Sequence, residues 1–311
     1  MIKKILVTGG AGYVGCIVVP MLLNKDYDVK VLDNLMYGQT TLLGEFHRKN
    51  FEFIKGDVRN SKTVKECMSG VDCVVHLSAI VGYPACKMRP ELATNVNYVG
   101  TVNINKARKD IPIIFPSTGS IYGDIDGICT EESKIKPLTL YGETKYKAEK
   151  EITSGKNYVV FRPATAFGLS PRMRLDLLPN DFTYQAVKTN NLVVYEGNAK
   201  RTFIHVTDFA RAIVHAIKNF DDMKNEVYNL GSAKLNMTKR DVAEKIKEIH
   251  DYYLHFAEFG TDPDKRDYEV SYEKLRATGF DVETSMEDGI KGLVKGYQMI
   301  KIQNPYSNYI R

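Results

Sequence analysis

At 311 residues the chain is long enough for one large α/β unit or for two domains that share an interface. Its 43% hydrophobic and 26% charged residues are ordinary for a globular protein and argue against disordered or low-complexity tracts. The formal charge of +5 is spread along the sequence, without blocks of Lys and Arg interleaved with aromatics, so no nucleic-acid partner is expected.

Residues 3–8 (KKILVT) form a short apolar run followed by glycines. An apolar, helix-compatible stretch continues to about Asn24, and residues 28–33 (DVKVLD) look like a second strand. Pro20 falls inside that helix, where it removes a hydrogen bond, so the helix is expected either to bend there or to be shorter. Further strands are predicted at 51–56 (FEFIKG), 72–77 (DCVVHL), 111–117 (IPIIFPS) and 157–162 (NYVVFR), separated by helix-compatible segments. This alternation builds an α/β, Rossmann-type, doubly wound parallel sheet. Past about Phe161 the rhythm breaks, with a strand-like LVVYEG at 192–197 and a helix-like DFARAIVHAIKN at 208–219. The first lobe is therefore assigned to 1–165 plus about 203–231. A smaller mixed α/β lobe takes 166–202 and 232–311.

The five cysteines, Cys16, Cys67, Cys73, Cys86 and Cys129, show no CxxC or His-rich ligand spacing, so neither a metal site nor a disulfide framework is expected. Reduced thiols suit the cytoplasm. No apolar run is long enough to span a bilayer, so no membrane association is expected either.

After the first strand, Gly9, Gly12 and Gly15 make a GxxGxxG turn leading into a helix. A strand, a glycine turn and a helix amino terminus in that order let backbone approach a dinucleotide pyrophosphate closely. Asp33 closes the second strand, where a carboxylate accepts hydrogen bonds from the adenine ribose and repels a 2′-phosphate. The cofactor is therefore expected to be NAD. Asp57 and Val58 either frame the adenine or form a plain strand-end turn.

Tyr141 and Lys145 are spaced YxxxK at the start of a predicted helix, on one face, where an ammonium favours phenolate. The spacing is cheap in this chain. Tyr83, Tyr146, Tyr184 and Tyr297 are also followed by Lys four residues on, and are read as surface helix or loop. Tyr141 is preferred because it follows the fifth strand and the loop at 118–123. Thr118 in that loop would donate to the substrate oxygen, with Ser117 and Ser120 as competitors.

Taken together, TGGAGYVG, Asp33, HLSA (76–79), NYVGT (97–101), PSTGSIYG (116–123), YGETK (141–145) and RTFIHVTD (201–208) resemble the extended short-chain dehydrogenase/reductase family, in its nucleotide-sugar branch. The resemblance implies a catalytic set of Thr118, Tyr141 and Lys145. It implies a cofactor site that includes Tyr13, Val14, Asn34, Leu77, Ser78, Ala79 and Asn97, the last as a buried structural polar group. Arg201 and Arg266 match positions that grip a substrate diphosphate. A Gly119–Ser120 pair stands where sugar 4,6-dehydratases carry Asp and Glu, which disfavours dehydration, and Thr165 stands where many relatives carry Asn.

The run from Ser170 to Tyr184 is similar to a branch that oxidises C4 of nucleotide-linked heptoses. It offers Arg172, Arg174 and Asn180 as substrate contacts, while Arg172 and Arg174 would otherwise pair with Asp176 or Asp181 on the lobe surface. The implied activity is oxidation of a nucleoside-diphosphate hexose or heptose in surface polysaccharide synthesis, as epimerase or 4-dehydrogenase. A ketoreductase and a non-catalytic NAD-binding protein are the alternatives. The family also implies a homodimer through helices that begin near Glu91 and Tyr141.

Overall fold

The protein, represented by a computed structural model, is described over residues 2–123, 127–258 and 269–300. It opens on β1 (Lys4–Thr8), α1 (Gly15–Leu23), β2 (Asp28–Asp33), β3 (Phe51–Lys55), α2 (Ser61–Cys67) and β4 (Cys73–His76). A helical stretch follows, made of α3 (Tyr83–Met88), α4 (Pro90–Thr94), a π turn at Asn95–Val99 and α5 (Gly100–Arg108), and it leads into β5 (Ile113–Pro116). The middle of the chain gives the two-residue β6 (Ile128–Cys129), then α6 (Leu140–Thr153), β7 (Tyr158–Pro163), β8 (Thr165–Phe167), α7 (Leu178–Thr189), β9 (Asn191–Tyr195) and β10 (Lys200–His205). The remainder is α8 (Val206–Lys218), α9 (Phe220–Met223), β11 (Glu226–Leu230), β12 (Asn236–Thr238), α10 (Lys239–Ile249), β13 (Tyr253–Ala257), β14 (Glu269–Val270), α11 (Glu273–Arg276) and α12 (Met286–Gly296).

The large sheet runs β11-β7-β5-β4-β1-β2-β3, with every neighbouring pair parallel. A parallel sheet covered on both faces needs strands that are apolar on both sides, and β1 (KILVT) reads that way. Its side chains alternate between two cores. Ile5 and Val7 join α1 and α8 on one face, while Leu6 joins α2, α5 and α6 on the other. The strand order reverses between β1 and β4, the switch point where ligands of such sheets bind.

α1 reaches Leu23 with Pro20 inside it, and Asn24 still donates to the Pro20 carbonyl at 2.9 Å. The helix therefore accommodates the proline without stopping there. The smaller sheets are β12-β10-β8, β13-β9 and β14-β6. A separate core of Phe167, Met173, Tyr184, Phe203, Leu293 and Tyr297 holds α7, α10 and α12 around them. Tyr184 and Tyr297 correct the expectation of surface positions: both are buried, ring edge to ring face at 5.2 Å. Alternation in short helices could not reveal this, because their partner lies more than a hundred residues away. Among the described residues no helix is long and apolar enough to cross a membrane.

Candidate active site

A cavity of about 790 Å³ opens at the switch point, between the carboxyl ends of β1, β2, β4 and β5 and the second lobe. At its floor the glycine turn leaves no room for side chains. Gly9 has φ +70°, and a Cβ there would come within 2.7 Å of the Ser78 amide nitrogen. A Cβ on Gly15 would run into the Gly9 carbonyl and the Gly10 backbone. Gly9, Gly12, Tyr13, Val14 and Gly15 all line the cavity, and α1 starts there with its positive end toward it.

Asp33, at the end of β2, is 6% exposed and faces the same space. Its Oδ2 accepts from the Ala11 amide at 3.0 Å, and its Oδ1 accepts from the Leu35 amide at 2.8 Å. Burial pushes its carboxyl up, against those bonds and the charge of Arg172. Asn34 donates to Asp57 at 2.9 Å, and Arg59 clamps Asp57 with two bonds of 2.9 and 2.7 Å. Chiefly through that arginine, the Asp57 carboxyl is lowered to about 2. Val58 stands beside it on the wall.

The loop after β4 supplies Leu77, Ser78 and Ala79 to the wall. It is bracketed from behind by Asn97, whose Oδ1 accepts from the Ile80 amide at 2.7 Å. The Asn97 Nδ2 donates to the Ile80 carbonyl at 3.0 Å and to Thr144 Oγ1 at 3.1 Å. Asn97 is 1% exposed and spends its amide on protein groups. It is a strut between this loop and α6, buried and polar as the resemblance implies. The π turn at Asn95–Val99 aims it there.

Thr118 follows β5 in extended backbone, and its Oγ1 accepts from the Ser120 amide at 3.1 Å. A hydroxyl that accepts in this way keeps its own proton for donation. Tyr141 is the second residue of α6, whose first turn is capped by Thr139 accepting from the Gly142 amide at 3.2 Å. Lys145 lies one turn further on, 4% exposed, with its ammonium 4.1 Å from the centre of the Phe115 ring. Burial depresses its pKa to about 7, with Glu149 acting the other way. Thr118, Tyr141 and Lys145 all line the cavity, as do Ser117 and Ser120. Ser117 is 3% exposed, and its hydroxyl has no hydrogen-bond partner among the described residues.

Of the rival YxxxK tyrosines, Tyr83 proves to be on the cavity wall too, contrary to its reading as surface helix or loop. Its lysine, Lys87, lies over its own ring at 5.5 Å. Tyr146 has the same relation to Lys150 at 5.7 Å.

Thr165 of β8 and, further along the chain, Arg172, Arg174, Asp176 and Arg201 complete the wall. Arg174 and Asp176 pair at 2.6 Å with both side chains buried, so the ion pair read as a surface feature faces the cavity instead. Asn180 is fully buried: its Oδ1 accepts from the Gly168 amide at 2.9 Å, and its Nδ2 donates to the Arg174 carbonyl at 2.9 Å and to the Tyr13 hydroxyl at 3.2 Å. It fastens the loop that carries the arginines. Arg266 lies outside the described residues. Tyr37 also lines the cavity, and no local pattern pointed to it. Among the described residues no cluster of His, Cys, Asp or Glu is arranged to hold a metal.

The NAD dependent epimerase/dehydratase family matches residues 5–231, from β1 through the edge strand β11. The chain belongs to that family. This epimerase/dehydratase is 31% identical to the low-salt glycan biosynthesis protein Agl12 of Haloferax volcanii, over 94% of this chain and 98% of that one. It is 28% identical to a putative UDP-glucose 4-epimerase of Methanocaldococcus jannaschii, over 93% and 97% of the two chains. It also resembles the structure of a UDP-glucose 4-epimerase of Thermotoga maritima with UDP-glucose, with TM-score 0.84, 25% identity and 96% and 99% coverage. The epimerase/dehydratase is an NAD-dependent enzyme. Its glycine turn, which a Cβ would fill, and the buried Asp33 fit that cofactor.

Proposed function

We propose that this enzyme oxidises a nucleoside-diphosphate sugar at C4, as an epimerase or a 4-dehydrogenase serving surface polysaccharide synthesis. The observation that carries the reading is one cavity whose wall includes Asp33 and the glycine turn, then Thr118, Tyr141 and Lys145, then Arg201 on β10. Relatives named as UDP-glucose 4-epimerases and as a glycan biosynthesis protein support the substrate class. NAD, when bound, supplies the hydride acceptor. Thr118 donates to the sugar hydroxyl oxygen, and Tyr141 takes the hydroxyl proton. Lys145 supplies positive charge to hold Tyr141 in its basic form. Arg201 and Thr165 hold the diphosphate, for which the planar guanidinium fork is suited. The sugar is a hexose or a heptose, and the enzyme works as a homodimer.

The test pairs native enzyme and Tyr141→Phe with a panel of nucleoside-diphosphate hexoses and heptoses. Reduced nicotinamide is followed by absorbance and sugar epimers by NMR. Native enzyme turns over at least one of them. Tyr141→Phe loses about 10²–10⁴-fold in rate with its NAD still bound. Undiminished activity in the variant sinks the assignment of the base, and inactivity of native enzyme on the whole panel favours a non-catalytic NAD-binding protein.

A further inference from the structure

Arg172 is assigned to no step of the reaction, yet it is 3% exposed and lines the cavity. Its position along the cavity follows from how its segment is fastened. The Tyr13 hydroxyl donates to the Gly168 carbonyl at 2.7 Å, and the Ser170 hydroxyl donates back to the Tyr13 carbonyl at 2.7 Å. Ser170 Oγ also sits 3.0 Å from Cys16 Sγ. Tyr13 belongs to the glycine turn and Cys16 to the first turn of α1. The second-lobe segment 168–172 is thus pinned to the point where α1 begins. The guanidinium of Arg172 stacks 4.3 Å from the centre of the Tyr37 ring, in the loop that follows Asp33. Its Nη1 donates to the Met173 carbonyl at 2.9 Å, which fixes the plane of the fork.

Glycine turn, Asp33 and Tyr37 therefore surround this cation, and they define the adenosine-diphosphate end of the cavity. A helix amino terminus favours an anion, and a guanidinium beside it offers bidentate bonds to phosphate oxygens. Arg174 pairs with Asp176 at 2.6 Å.

We propose that Arg172 grips the pyrophosphate of NAD, with Tyr37 as the platform that holds its fork flat, and does not bind the nucleotide sugar. Because the arginine reaches over from the second lobe, retention of the cofactor depends on that lobe staying packed against the glycine turn. The inference rests on the assignment of NAD to this cavity, and it is independent of which sugar reacts.

The test titrates protein stripped of NAD with NAD and, separately, with UDP, GDP and dTDP, by calorimetry. Arg172→Met is expected to weaken NAD binding about tenfold to a hundredfold, the loss of one or two charge-assisted bonds, and to leave binding of the nucleoside diphosphate unchanged. Tyr37→Leu shifts NAD affinity in the same direction by less. Unchanged NAD affinity in Arg172→Met overturns the proposal, as does a selective loss of nucleoside diphosphate. If Arg172→Met does not fold, Arg172→Lys decides: a loss confined to NAD supports the grip, and equal losses for both ligands overturn it. A native protein that binds NAD but none of the diphosphates would count against the nucleotide-sugar reading and leave the NAD comparison intact.

Discussion

Lys145 carries a charge that the folded protein holds at a cost. It is 4% exposed, its ammonium rests on the Phe115 ring at 4.1 Å, and burial brings its pKa from 10.5 down to about 7. In the unfolded chain the group stays protonated to far higher pH. Between about 7 and 10.5 the unfolded state therefore binds more protons, and stability rises with pH across that window. Below about 7 the full penalty of the buried cation is present. Lys145→Met, in protein stripped of NAD, removes that penalty, because an apolar side chain of similar length replaces a desolvated charge. It is expected to unfold at higher temperature than native protein at pH 6. The gap should close as pH rises through the window, and turnover should be lost throughout. Thermal unfolding at several pH values reads this directly, and a variant less stable than native protein at pH 6 would contradict it. His76 follows the same sign at lower pH. Held between Thr8 Oγ1 at 2.6 Å and Thr101 Oγ1 at 3.0 Å, it is buried and neutral, lowered to about 3 by desolvation, so acid is its threat.

At the scale of elements, α6 ties the reacting end of the cavity to the sheet beneath. Tyr141, Lys145 and Glu149 succeed one another at i+4, so one face of the helix carries all three. Glu149 is buried against Arg162 of β7 at 2.6 Å, and Arg162 also donates to the Tyr122 hydroxyl at 3.0 Å and the Glu131 carbonyl at 2.8 Å. Glu149→Gln leaves a buried guanidinium without its carboxylate and is expected to cost about 3–5 kcal/mol in urea unfolding. The double variant Glu149→Leu with Arg162→Met should recover most of that, and a single variant within about 1 kcal/mol of native protein would refute the role of the pair. This network also marks where the sequence stopped being legible. The Rossmann half was readable because each β-α-β unit closes within about thirty residues and leaves a local pattern: glycines after β1, Asp33 at the end of β2, Tyr141 on the helix after β5. Arg162 and Glu149 are near in sequence, but nothing local says that their side chains converge. Tyr37, Tyr83 and the Arg174–Asp176 pair reach the cavity through loops whose path is set by distant packing. Asn180 and Asn97 meet the same limit, because a polar side chain beside a site has the same local signature whether it meets a ligand or braces a loop. Their hydrogen bonds to loop backbone are visible only in the fold.

Over the whole molecule, the helices that wrap the site also leave apolar groups in solvent. Met88 at the end of α3 is 55% exposed, Val99 in the π turn 39%, and Leu138 just before α6 51%. A contiguous patch of exposed apolar side chains marks a contact surface, and these three are candidates for one. They flank α4, from Pro90, and α6, from Leu140, near which the helices of the expected homodimer begin. A twofold axis passing through this patch would bring Val99 near its own symmetry mate, and a stable pair buries about 1,200–2,000 Å². An arginine there would bring like charges together in a dry contact. Native protein is expected to scatter light as twice the chain mass at micromolar concentration, and Val99→Arg as one chain. NAD content should be unchanged in the variant, since the glycine turn, Asp33 and Arg172 all belong to a single chain. A native protein that is monomeric under these conditions, or a Val99→Arg variant that remains paired, would remove this surface from consideration. Loss of NAD on dissociation would instead mean that the cofactor end of the cavity is braced across the dimer, which the fastening of segment 168–172 to Tyr13 and Cys16 within one chain argues against.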